Sequence, residues 1–259
     1  MFTINKERLQ RQIKNRFIEL DLFRGLAIAL MIFGHFLWDL DYFGIAPINS
    51  EIYIQLQRTV PPLFFLLVGI CLAVSINKKH DLSLDENKKY KNHLLLRGIK
   101  IFSLGMVLTT ITMIFLPERP IIFGVLHFIG LSIVLSVFFL RFRIYNILIG
   151  LLFLAISIPI GQYVIATPTV LHLAIGLHQA NFWEYTTDYF PLLPWFGVVL
   201  FGIGLGNILY KDNKRRFRFP DISKYKPVAL FSWLGRHSLA VYLLHQPVIA
   251  GVLSLFLIL

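Results

Sequence analysis

Seven apolar runs divide this sequence, at 19–43, 60–76, 94–116, 121–140, 144–163, 189–210 and 228–257. A bilayer core is about 30 Å thick and takes a helix of roughly 17–25 residues to cross, a length that every run reaches. A hydrophobic share of 56% and a mean hydropathy of +0.69 are far more than a soluble domain of this size uses. The sequence therefore predicts an all-α integral membrane protein, a bundle of about seven transmembrane helices. Residues 1–18 form a basic amino-terminal segment, and 19–259 form a single transmembrane domain. The segment 1–18 reads either as an interfacial helix on anionic headgroups or as a solvated tail that sets topology.

The first run, ELDLFRGLAIALMIFGHFLWDLDYF, is the least lipid-like. At about 100° per residue, Arg24 falls near −60° from Asp21, His35 near −40° and Asp39 near 0°. All four polar side chains share one wedge of about 60° on an otherwise apolar helix. A charge at the bilayer centre costs roughly 2.5–3.5 kcal/mol on insertion scales, so this stripe must face protein or a wet cavity.

Loop charges give a direction. The net charge is +11, which in a soluble chain would suggest nucleic-acid binding. Here the basic residues alternate between loops. Five lie in the amino-terminal tail, five at 78–91, two in the turn at Arg141 and Arg143, and seven at 211–226. The intervening connections hold only Arg58, then Arg119, then none across 164–188. The positive-inside rule accounts for this without nucleic acid and puts the amino terminus in the cytoplasm and the carboxyl terminus outside. The expected setting is the plasma membrane, multi-pass, with no cleavable leader. The one cysteine, Cys71, lies in an apolar run and reads as a core residue.

Several local features yield expectations. The Pro61–Pro62 pair suits the start of the second helix. The His245-Gln246-Pro247 triplet predicts a kink or a break in the last one. The stretch 164–178 fits a short interfacial helix, read as a lid or as part of an aromatic belt. Gly202 and Gly206 are spaced for close helix packing rather than for a phosphate loop. Thr109, Thr110 and Thr112 can bond within their own helix. The histidines lack metal-ligand spacing, so no metal is expected.

Eleven residues of helix, about 16 Å, separate Arg24 from His35. A ligand touching both must be long, with an anionic end at the cytoplasmic face. Acyl-coenzyme A has that shape. Arginine suits its phosphates, and histidine suits proton removal from an amine or alcohol attacking its thioester. Asp39, four residues on, would orient the histidine. The plainer alternative is a core histidine satisfied in a salt-bridge network.

Four blocks, ELDLFRGLAIALMIFGHFLWDL (19–40), FGVLHFIGLS (123–132), DYFPLLPWFGVVLFGIGLG (188–206) and LGRHSLAVYLLHQPV (234–248), resemble the heparan-alpha-glucosaminide N-acetyltransferase catalytic family, in particular its shorter prokaryotic members. The resemblance implies transfer of an acetyl group from cytoplasmic acetyl-CoA to an amine or hydroxyl of a sugar or glycoconjugate on the far side of the membrane. Within that frame the catalytic candidates are His35, Asp39 and His127. Candidates for holding acetyl-CoA are Arg24, Asp21, Arg236, His245 and Gln246, with Arg236 and His237 opening the last helix. Asp188, Trp195 and Arg58 are candidates for the acceptor. Expected partners are acetyl-CoA, the acceptor, the bilayer and further copies of the chain in a homo-oligomer. The rival readings are a transporter of a small anionic solute or lipid-linked sugar using the same polar stripe, and a binding or sensory protein in which the stripe is structural.

Overall fold

A computed structural model describes residues 16–77, 84–212 and 214–258, so most of the basic segment 1–18, residues 1–15, and the loop 78–83 lie outside the described residues. The protein is an all-α integral membrane protein. Its helices are α1 (Ile18–Tyr42), α2 (Ser50–Asn77), α3 (Leu84–Phe115), α4 (Val125–Phe139), α5 (Asn146–Ile160), α6 (Val170–Ile175), α7 (Leu192–Leu209), α8 (Lys226–Arg236) and α9 (Ser238–Ile258). A two-stranded ribbon, β1 (Tyr210–Lys211) with β2 (Lys214–Arg215), follows α7. Six helical runs among the described residues are long and apolar enough to cross a bilayer.

The difference from seven lies at one junction. The expected fourth and fifth spans join in the run Val125–Ile160, whose middle is a tight 3-10 turn at Leu140–Tyr145. There Arg143 adopts φ 45°, which a Cβ disfavours. Asn146, wholly buried, holds the turn by donating through Nδ2 to the carbonyls of Phe139 and Arg143, each at 2.9 Å.

Two expectations are corrected and a third is narrowed. α2 begins eleven residues before the proline pair, so Pro61 and Pro62 lie inside it, and Arg58 sits on a helix rather than in a loop. Prolines persist inside transmembrane helices when neighbouring groups re-satisfy the freed backbone. The final run breaks at His237, not at Pro247, which α9 carries inside it. Arg236 and His237 therefore close α8 instead of opening the last helix. The stretch 164–178 forms only the six-residue α6, capped by Thr169 with His172, and a backbone bridge joins Val164 to His178.

The chain divides into two compact units, residues 1–64 with 219–259, and 65–218. In the first, α1 packs against α8 and α9. α1 buries Asp21, Gly25 and Ile28, spaced four and three residues apart on one face. Glycine permits the closest approach. A Cβ on Gly25 would strike the carbonyl of Phe231, and one on Gly235 the carbonyl of Asp21.

In the second unit the core is aromatic. Phe65 lies 4.4 Å from Phe128 between ring centroids, and Phe196 contacts Phe139 and Phe153 edge-on at 5.5 and 5.6 Å. The expected packing role of Gly202 and Gly206 holds: a Cβ on Gly202 would meet the Leu66 carbonyl, and one on Gly206 would meet Ala73 and Ile70 of α2.

Candidate functional site

Two polar groups form along α1 within the first unit. The first, near its start, contains Asp21, Arg24 and Ser238. Arg24 Nη2 donates to Ser238 Oγ at 2.7 Å. Asp21 sits 4.0 Å from Arg24 and 3.8 Å from Arg16. The break between α8 and α9 brings Ser238 here, buried at 5%, and Arg236 lies two residues before it, exposed. Ser238 is a contributor the sequence reading passed over; its signal was the short GRHS stretch that ends one helix and starts the next.

The second group lies further along α1 and takes in His35, Asp39, His245 and Gln246. The rings of His35 and His245 approach to 4.8 Å between centroids, tilted by 56°. Gln246 Nε2 donates to Asp39 Oδ1 at 2.7 Å, and Asp39 is only 1% exposed. α9 places His245 and Gln246 side by side, and α1 supplies His35 and Asp39 one turn apart.

His245 has a defined tautomer. Its Nδ1 lies 2.6 Å from the Tyr242 carbonyl, which can only accept, so the neutral ring carries its proton there. The lone pair is then on Nε2, which is buried and unpartnered. Asp39 Oδ2 and Gln246 Oε1 are also buried without a partner. Of the seven buried side-chain nitrogen and oxygen atoms lacking a partner among the described residues, three belong to this one cluster. Native interiors pair nearly all such groups, so this concentration singles the cluster out as a candidate site. The expected Asp39–His35 pairing takes another form, since the recorded hydrogen bond of Asp39 goes to Gln246.

His127 and Asp188 lie in the second unit, at the amino end of α4. His127 Nδ1 accepts from the Gly124 N–H at 3.2 Å, so the neutral ring carries its proton on Nε2, 3.4 Å from Thr109 Oγ1. Thr109 passes its own hydrogen to the Ile121 carbonyl at 2.6 Å. Both ring nitrogens are thus engaged, and Phe123 and Phe102 flank the ring at 5.7 and 5.2 Å. Asp188 Oδ2 accepts from the Val125 N–H at 3.0 Å, a carboxyl at the positive end of a helix. Both residues serve that helix start. Trp195 packs edge-on against Phe65 and Phe190, and Arg58 is exposed on α2.

Among the described residues no three His, Cys, Asp or Glu side chains converge as a metal-binding group. A family model described as heparan-alpha-glucosaminide N-acetyltransferase, catalytic, matches residues 16–247. The matched range takes in both polar groups on α1 and ends just past Gln246. No curated protein and no solved structure matches the chain.

Proposed function

The chain belongs to the heparan-alpha-glucosaminide N-acetyltransferase catalytic family, and from that premise we propose that it moves an acetyl group from cytoplasmic acetyl-CoA to an amine or hydroxyl of a sugar or glycoconjugate outside the plasma membrane. The observation that carries this reading is the histidine pair His35 and His245 beside a buried carboxyl–amide pair, with three polar atoms left for a ligand. The loop charges orient α1 with Arg24 toward the cytoplasm and His35 toward the outside. The coenzyme's phosphates meet Arg24, helped by the exposed Arg236, and the pantetheine arm covers the ~16 Å to the histidines. There the acceptor attacks the thioester carbonyl, a histidine takes its proton, and the thiolate leaves. The Arg24–Ser238 hydrogen bond holds the guanidinium in place for this. His127 is left out of the chemistry because both of its nitrogens already have partners.

The test is acetyl-CoA binding and thioester cleavage by the full chain in liposomes. Arg24→Gln should raise the KM for acetyl-CoA about tenfold or more, because a hydrogen bond to a charged group contributes roughly 1.5–3 kcal/mol. Failure of the unaltered protein to bind or cleave acetyl-CoA overturns the reading, and so does solute uptake into the liposomes with no thioester cleavage.

A further inference from the structure

The three unpartnered atoms of the cluster share one property. Gln246 Oε1 and the lone pair of His245 Nε2 are hydrogen-bond acceptors, and Asp39 Oδ2 is one whenever its carboxyl is ionised. A thioester oxygen or a phosphate oxygen also only accepts, and has nothing to give them. The group that satisfies them must bring hydrogens, as a hydroxyl or an amine does. We propose that His245 is the proton acceptor of the transfer and that it, Asp39 and Gln246 receive the nucleophilic end of the acceptor rather than the coenzyme. This rests on the acetyl-transfer reading of the same site.

A general base needs its lone pair aimed and its other nitrogen fixed. His245 meets both conditions through the Tyr242 carbonyl. His35 has no hydrogen bond to either ring nitrogen among the described residues, so its tautomer is free. It stands 4.8 Å away, ring to ring, where an N–H can turn to the thioester oxygen. In the step itself, the acceptor oxygen or nitrogen bonds to the thioester carbonyl carbon and its proton passes to His245 Nε2. The carbon–sulfur bond then breaks, and the leaving thiolate takes that proton from His245, so free coenzyme A and a neutral histidine result. Asp39 Oδ2 and Gln246 Oε1 accept from a neighbouring hydroxyl or amine hydrogen and hold the acceptor in line.

His245→Asn tests the assignment, because asparagine keeps a donor for the Tyr242 carbonyl but has no Nε2. His245→Gln runs alongside, so that the result does not depend on one variant folding. The assay is acetyl-CoA cleavage by the full chain in liposomes with ethanolamine, a small hydroxyl- and amine-bearing acceptor. Both variants should lose about 100-fold or more in kcat, keep the KM for acetyl-CoA within about twofold, and lose the fall in rate on the acid side of the pH profile. Added imidazole should restore part of the rate to His245→Asn. His35→Asn should lower the rate while keeping that acid limb. The proposal is overturned if the His245 variants retain their kcat or their acid limb, or if His35→Asn is the variant that abolishes it. Acetyl-CoA cleavage that persists with His245 replaced sinks this assignment alone. No cleavage by the unaltered chain sinks it together with the acetyl-transfer reading.

Discussion

Gln246 donates through Nε2 to Asp39 Oδ1 over 2.7 Å, joining residues 207 positions apart on the first and last long helices of the chain. The bond fixes which way the amide points. Its nitrogen is spent on the carboxyl, and its oxygen is left buried and free. The bond uses one oxygen of Asp39 and leaves Oδ2 buried without a partner among the described residues.

The pair should be measurable by a double-mutant cycle. Gln246→Leu leaves the buried Asp39 carboxyl with no partner and should destabilise the protein by about 1–3 kcal/mol. Adding Asp39→Leu should recover part of that loss, because an apolar pair costs less than one orphaned polar group. Thermal melting of the four proteins in detergent reads the coupling. Strict additivity would mean that the hydrogen bond contributes nothing.

The contact between α1 and α8 makes a sharper test of packing. Gly235→Ala places a Cβ against the Asp21 carbonyl, and because backbone cannot move aside as a side chain can, overpacking here should cost about 1–3 kcal/mol. Gly251 lies inside α9 with nothing within 4 Å of a Cβ. Gly251→Ala should therefore be neutral, or stabilise by up to about 1 kcal/mol through helix propensity. Melting temperatures that moved together would place the glycine requirement somewhere other than this contact.

Much of this architecture is legible in the sequence, and the reasons it stops being legible are physical. Hydropathy alone finds the spans, because lipid demands length and apolarity of a helix whatever its neighbours are. The polar wedge on 19–43 is visible from periodicity for the same reason, and Asp39 within it is in fact buried to 1%. Helix ends are harder. The break at His237 is set by the Gly25–Gly235 approach and by Ser238 reaching Arg24, and both partners lie over two hundred residues away. Pro247 looked the stronger breaker but sits within α9. The roles of isolated histidines were least accessible. His127 and His245 are alike as lone histidines in apolar runs, and only their partners separate them. One has both nitrogens bonded, and the other keeps a bare Nε2.

His127 gives a prediction opposite in kind to that for His245. As the third residue of α4 it accepts from the Gly124 N–H, a place where glutamine serves equally well in a capping box. His127→Gln should therefore melt close to the unaltered protein. His127→Ala and Thr109→Val, which each strand a buried polar group, should lose about 1–3 kcal/mol. Acetyl-CoA cleavage should follow the folded fraction in all three. A large loss of kcat in a fully folded His127→Gln protein would return this residue to the chemistry.

Tyr189 carries the pH dependence that can be read outside the spans. Its hydroxyl donates to the Leu173 carbonyl at 2.6 Å, and Phe182, Trp183 and His178 enclose its ring at 4.8, 5.3 and 5.9 Å. Burial pushes the phenol above its ordinary value. The folded chain therefore keeps this proton at pH values where the unfolded chain releases it. Its stabilising contribution is whole below about pH 10, the ordinary tyrosine range, and declines as pH rises above that. Tyr189→Phe should lower stability by about 1–3 kcal/mol at neutral pH, since the Leu173 carbonyl loses its donor. The difference between the two proteins should narrow as pH climbs past roughly 10. Melting curves of both proteins across the alkaline range check the sign, and a gap that widened with pH would mean that the folded protein ionises this phenol more readily than the unfolded chain does.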